Sequence, residues 1–429
     1  MNSLGKKRMN GQNSHKYLPY ILHGEWKRDI ITNSKHPYII RTIVFIYKLV
    51  GKVIPLSWNG IIQHCIDYKI VRYMVDEKSD EKAVVYPAII KNGQVTDAKT
   101  DIVHFPGTFY LELENVITLY GIGCFIHYGE IVSPKESGYW VSLNHTANDY
   151  VIRYDRNKCY LIKQNLPSIP KGILLVSRWP ENLCHVIIDV MLRLHIVDQD
   201  PKYDEWPILI SELTIKNIRF MEVVQLFNIK HRPIITLRDK QNYMVSHAII
   251  PSFLNKNINQ KKIWNGALSI AGFLSKKQVE YFRNICDCHP ETKGNRKMFV
   301  FRPRHDRLTN EEEIMFFFQK NGFELIDTGN LTYEQQVECF KNVKWMVATH
   351  GAALTNIALC PSNATIVQIT VPEIMHNVRF DNLAYNCGCK LFNIEAEVVE
   401  QPLSHLAPGL KMELPIERCT EIMKVFEQS

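Results

Sequence analysis

The amino-acid sequence predicts an α/β protein in which two doubly wound, Rossmann-like parallel sheets follow a β-rich leader. Three observations predict it. From Gly172 onward short apolar runs alternate with helical stretches, and a second, longer series of the same kind begins at Lys297. Such alternation builds parallel sheets, because parallel neighbours need a long crossover between them. The segment before Gly172 carries strand-like runs split by turn signals such as Lys91-Asn92-Gly93, the pattern of hairpins. Finally, 429 residues exceed what one hydrophobic core holds and favour several domains.

Composition narrows the class. Hydrophobic residues make up 46% and charged residues 22%, which excludes collagen-like, disordered and small disulfide-scaffold proteins. The net charge of +7 is mild. It permits an anionic ligand and argues against a nucleic-acid reader, which concentrates its charge. The eleven cysteines are scattered, and Cys124, Cys184, Cys339 and Cys360 sit in apolar runs. They read as reduced thiols and favour a cytoplasmic setting. The N-terminus has no apolar core after its charges, so it does not read as a signal peptide. No run of about 20 apolar residues is present to cross a bilayer.

The chain divides into four segments. Residues 1–83 form an N-terminal helical and basic region. Within it, 38–54 is apolar but interrupted by Arg41, Lys48 and Lys52, which share one helix face. Two readings stay open there: peripheral contact with the inner face of a membrane, or a helix packed on the protein with a solvated basic edge. Residues 84–170 read as the β-rich leader. Gly121-Ile122-Gly123 lies among its strands and, lacking a following helix, is no phosphate loop. Residues 171–285 carry strand Gly172 to Ser177, helix Pro180 to about His195, strand Trp206 to Ser211, helix Ile215 to Phe227 and strand Pro233 to Leu237. Residues 286–429 carry strands KMFVF, FELID, WMVA, TIVQIT and KLFNI, with helices from Asn310, Tyr333, Gly351 and about Asn377 between them. Ligands of open α/β sheets bind at the carboxyl ends of strands, so the cleft between the two domains is the expected site.

Three blocks carry chemistry. In Ser177 to His195 the polar residues Asn182, His185, Asp189 and Arg193 are spaced three, four and four apart, forming one stripe on an otherwise apolar helix. A buried polar stripe is costly unless it is paired or lines a cavity. It reads either as a cleft-lining face offering a His185–Asp189 pair, or as an internal network with an Asp189–Arg193 ion pair. In Val300 to Ile314, Arg302, Arg304, His305 and Arg307 cluster at the carboxyl end of a strand, where arginine forks suit phosphate oxygens. Thr309 or Asn310 can cap the helix that follows. The plain alternative is a solvated basic loop. In Trp345 to Pro361 a strand runs into Thr349-His350-Gly351-Ala352-Ala353. Small residues there let a ligand approach the N–H groups at a helix start, and His350 can donate to a phosphate or a sugar hydroxyl.

Two metal readings are weaker. Asp198-Gln199-Asp200 has an acidic pattern able to hold a divalent ion, but it stands before Pro201 in a polar linker. Cys286-Asp287-Cys288-His289 lacks a second ligand pair at zinc-site spacing. No metal and no cofactor are expected.

Taken together, Trp179-Pro-Glu-Asn-x-x-His185-x-x-x-Asp189-x-x-x-Arg193, Arg302 to Arg307 with Asn310-Glu311, and Leu331-Thr-x-x-Gln335 with His350-Gly-Ala-Ala-Leu-Thr-Asn356 resemble glycosyltransferase family 61. The resemblance covers roughly Val84 to Glu395. It implies a GT-B-like fold with an acceptor domain first and a nucleotide-sugar domain second, and an inverting, metal-independent sugar transfer from a nucleoside-diphosphate donor. It also implies a glycan or lipid-linked glycan acceptor, in bacterial capsular or surface polysaccharide synthesis. On this reading His185, Asp189 and, as a weaker alternative, Glu181 are catalytic, while Asn182 and Arg193 line the cleft. Arg302, Arg307, Asn310, Thr349, His350, Gly351, Ala352, Ala353, Asn356 and Gln368 hold the donor and its diphosphate. Gln368 stands where family members often carry an acidic residue, so donor identity does not carry over. The rival function is a non-catalytic nucleotide- or carbohydrate-binding subunit of a polysaccharide assembly complex.

Overall fold

Two twisted sheets organise the chain, each with a parallel core made of the apolar runs from the alternating series. The computed structural model describes residues 53–121, 123–133, 150–153, 158–177, 179–254, 256–259, 270–289, 291–302, 307–375, 377–400 and 410–429, together with 45, 48, 49 and 51. Most of the basic segment 38–54, and with it Arg41 and Lys52, lies outside the described residues. Its last two positions, Val53 and Ile54, begin the strand Val53–Gly60 rather than ending a helix.

The first sheet has eleven strands. Its parallel part runs Met244–Pro251, Ser168–Leu175, Ile208–Ser211, Ile234–Leu237 in spatial order. The strands Ser168–Leu175 and Ile208–Ser211 are almost wholly apolar where they pair, as strands covered on both faces must be. On the other side Thr108–Leu119 pairs antiparallel with Met244–Pro251 and carries the leader hairpins into the same sheet. The leader is therefore not a separate layer.

The second sheet has seven strands, Glu324–Asp327, Arg296–Phe301, Val343–Thr349, Thr365–Thr370, Lys390–Glu395, Ala88–Lys91 and Gln94–Thr96 in spatial order. The first six are parallel. Numbered along the second series, this is the 2-1-3-4-5 order of a doubly wound sheet. Ala88–Lys91 comes from the segment 84–170, so that segment is shared between the two sheets rather than forming one leader. Nothing in a four-residue AIIK run says which of two sheet edges it will extend.

A single buried apolar cluster joins the two halves. It contains Ile173, Ile208 and Ile249 of the first sheet, Val186 to Val197 of the following helix, Met298, Met346 and Ile366 of the second sheet, and Leu354 to Leu359 beside it. The helical segment Leu183–Val197 belongs to this cluster, packing on Thr108–Leu119 and Met244–Pro251 of the first sheet and on Ala352–Leu359 beside the second. It begins as α-helix, loosens to π-helix over Val186–Val190 and tightens to 3-10 over Met191–Arg193. A further cluster backs the second sheet with the helices Glu311–Lys320 and Ile416–Glu427. All eleven cysteines are buried free thiols. Among the described residues no helix is long and apolar enough to cross a membrane.

Candidate active site

The order of the second sheet defines one crevice. The order in which strands are added reverses between Arg296–Phe301 and Val343–Thr349, the switch point at which open α/β sheets take ligands. Arg302 follows the first of these strands and His350 the second. Nη1 of Arg302 lies directly over Gly351, where a Cβ would stand 2.5 Å from it. Gly351 is extended backbone, so what glycine supplies here is room for the guanidinium. Arg307 donates from Nη1 to the His350 carbonyl at 2.5 Å. Both arginines are partly buried, and among the described residues neither guanidinium has a carboxylate within ion-pair distance. Burial lowers the Arg302 pKa, with Glu311 opposing; burial and Arg302 bring Arg307 down to about 10. Two neighbouring cations drawn partly out of water, with no acid paired to them among the described residues, are predisposed to an anion. Arg304 and His305 lie outside the described residues.

His350 is 8% exposed. Burial first, then the charges of Arg307, Arg379 and Arg302, pushes its pKa down to about 3, so the ring is neutral at pH 7. Its Nδ1 lies 3.2 Å from Oε1 of Gln368. Phe380 meets the ring edge-on at 5.3 Å. Thr349 is buried at the strand end, and Ala352 and Ala353 open a 3-10 helix, Ala352–Leu359. The sequence suggests an α-helix there; the N–H groups at its start remain, with a less regular alignment of dipoles.

Other residues of these blocks hold structure. Asn310 does not cap its helix: its amide pairs reciprocally with the backbone of Leu414 at 2.9 and 3.3 Å. Asn356 is fully buried and donates to Oε1 of Gln336 at 2.8 Å. The Leu331-Thr-x-x-Gln335 signature is a capping box, with Thr332 and Gln335 closing the start of Tyr333–Phe340. Gln368 is buried beneath His350 rather than open to a ligand.

The His185–Asp189 pair forms on the other side of the interface. Nδ1 of His185 and Oδ2 of Asp189 are 2.5 Å apart, spanning the α-to-π junction. Asp189 is 1% exposed. A carboxylate facing Nδ1 accepts its proton, which in a neutral ring leaves the lone pair on Nε2. Trp179 lies along the imidazole at 4.5 Å and an interplanar angle of 34°. A π-bulge at such a pair is a frequent mark of a functional position. Asn182 caps the helix by accepting from the Cys184 N–H, and Glu181 is exposed without shaping the pair. Arg193 is buried and donates to the carbonyls of Pro251, Val176 and Asp189 while stacking on Phe253. It fills space between strand ends and lines no open cleft.

The two halves of the site meet. The helix start Leu183–His185 packs on Ala352–Leu359. Arg379 reaches from the second half to the Sγ of Cys184, next to His185, at 3.5 Å, and its charge also acts on His350. Sequence reading passed over Arg379. It follows the strand Thr365–Thr370 at its carboxyl end, the same positional signal that singled out Arg302 and His350.

The acidic triplet is spent on structure. Asp198 accepts from buried Arg232 at 2.5 Å and from Tyr281, and Asp200 accepts from Tyr110 and caps the turn at Pro201. Burial raises the thiol pKa values of Cys286 and Cys288, the latter to about 11, while His289 is exposed.

Residues 183–367, which hold both groups, match the family profile Glycosyltransferase 61. Over these residues the chain is similar to the glycosyltransferase 61 family. Alpha-1,3-arabinosyltransferase XAT3 of Oryza sativa subsp. japonica is 25% identical over 213 residues, 47% of this chain and 36% of the relative. Alpha-1,3-arabinosyltransferase XAT2 of the same plant is 24% identical over 259 residues, 56% of this chain and 43% of the relative. The match spans less than half the length of either curated relative. Within the matched residues lie His185, Asp189, Arg302, Arg307 and His350; Gln368 and Arg379 follow their end.

Proposed function

We propose that the chain is a metal-independent, inverting glycosyltransferase that moves a sugar from a nucleoside-diphosphate donor to a glycan hydroxyl. The observation that carries this reading is the meeting of an oriented His–Asp pair with an arginine-lined crevice at the switch point of a parallel sheet. Asp189 holds the His185 ring through Nδ1, and Nε2 takes the proton of the acceptor hydroxyl. That oxygen bonds to the anomeric carbon while the bond to the leaving phosphate oxygen breaks, inverting the centre. Charge builds on the departing diphosphate, and Arg302 and Arg307 are already in place to meet it, with Arg379 alongside. The reading takes the two sheets as the facing halves of a GT-B-like arrangement, acceptor side first.

The relatives' names make a pentose the first sugar to try. Both come from a plant, which counts against the bacterial capsular setting. The test is incubation with nucleoside-diphosphate pentoses and hexoses, following donor hydrolysis and transfer to oligosaccharides in the presence of a chelator. Turnover that survives the chelator supports the proposal. Tight binding of nucleoside diphosphates without turnover of any donor would favour the non-catalytic subunit instead.

A further inference from the structure

Beneath His350 runs a chain of buried amides whose orientation has one solution. Nδ2 of Asn393 lies 3.3 Å from the carbonyl oxygen of Ala88 and 2.8 Å from Oδ1 of Asp381. A backbone carbonyl only accepts, so the Asn393 nitrogen must face it, and the Asn393 oxygen must face the other way. That oxygen is 2.5 Å from Nε2 of Gln368, which donates to it. The Gln368 oxygen therefore points at Nδ1 of His350, and Nδ1 must supply the proton. All four links are buried: Gln368 is 1% exposed and Asn393 0%. Reversing any amide would set oxygen against oxygen and leave buried donors unpaired.

We infer that His350 is held as the Nδ1–H tautomer by this chain, so that Nε2 accepts a hydrogen bond from a hydroxyl of the donor and takes no part in holding its diphosphate. Gln368 and Asn393 are positioning residues for the ring. The direction of the whole chain is set by Ala88, in the strand contributed to the second sheet from the N-terminal part of the molecule. The crevice then divides its work: guanidiniums for phosphate oxygens, and a neutral ring lone pair for a hydroxyl proton. A lone pair facing a phosphate oxygen would repel it. The identity of the bound molecule rests on the function proposed above; the tautomer does not.

The experiment is ¹⁵N spectroscopy of histidine-labelled protein at pH 7, with the His350 signals assigned by their loss in His350→Asn. A protonated Nδ1 with an unprotonated Nε2 is expected. A protonated Nε2, whether in the other tautomer or in the imidazolium, overturns the inference, and the wild-type spectrum alone decides this. Gln368→Met, close in volume but with no acceptor, should release a detectable Nε2–H population. Unchanged tautomers in a folded Gln368→Met would show that the chain does not set them. With an active donor, Gln368→Met should lower kcat/KM about 10-fold through the misdirected hydroxyl contact; full activity in a variant whose ring has changed tautomer would overturn the role assigned to Nε2. If no nucleoside diphosphate or donor binds, the function fails while the tautomer result stands.

Discussion

Each parallel sheet has a switch point, and the chain treats the two in opposite ways. In the first sheet the strands Ser168–Leu175 and Met244–Pro251 are neighbours whose onward connections diverge. Their carboxyl ends are closed by Arg193, which is 2% exposed and donates to Val176 and Pro251. In the second sheet the corresponding place holds Arg302, whose guanidinium has no carboxylate within ion-pair distance among the described residues, beside a glycine that leaves room for it. An arginine at a strand end is therefore not by itself a ligand site. What separates the two is whether the protein's own carbonyls already consume its donors.

The comparison breaks most visibly at the pair that would take the proton. His185→Ala should lower turnover by roughly 1,000-fold, within the range for a general base. Turnover within a few-fold of wild type would remove the pair from the mechanism. Next come the two arginines as a matched test. Arg302→Ala should lower turnover about 100-fold with the fold intact, as for loss of a preorganised charge-stabilising donor. Arg193→Ala should instead destabilise the protein by about 2–4 kcal/mol, because several buried carbonyls lose their donors. Denaturant titration and donor turnover measured on both variants check this, and equal stability losses would erase the distinction between the crevices.

Gly351→Ala sharpens the same contrast at smaller scale. Its new Cβ would meet only the end of the flexible Arg302 side chain, which can move aside. The expected outcome is about a 10-fold fall in turnover, from misplacing one guanidinium, with stability nearly unchanged. A variant as active as the parent would mean that Arg302 acts from another position.

How much of this was legible in the sequence follows from which forces set each feature. The alternating strands and helices were legible because burial on both faces leaves continuous apolar runs, and every strand of the second series is present. His185 and Asp189 were legible because helical spacing puts them on one face, although the π-helical turn between them was not. The roles of Asn182, Asn310 and Asn356 were not legible. Each is an amide that reaches a partner, and sequence shows an amide's presence but not which backbone or side chain it will meet. The long-range partners matter most: Asn310 meets Leu414, and Asn393 meets Ala88 from across the chain. Asp381 was passed over for the same reason, since its importance comes from the buried network it joins.

Asp381 gives the smallest expected effect and a clean sign. Burial raises its carboxyl from the ordinary value of 3.8 to about 7, with the Asn393 hydrogen bond pulling the other way. The folded protein then keeps a proton that the unfolded chain releases. This group's stabilising contribution is full below about pH 4 and is lost as pH rises through about 7. His350 has the opposite sign: its depressed pKa costs stability as pH falls from about 6.5 towards 3. Above about pH 6.5 the His350 contribution is flat, so that window isolates the carboxyl. Asp381→Asn keeps an oxygen to accept from Asn393 and cannot ionise. Between about pH 6.5 and 8 its unfolding midpoint should fall less steeply than that of the parent, and parallel curves would show that Asp381 is already ionised in the fold.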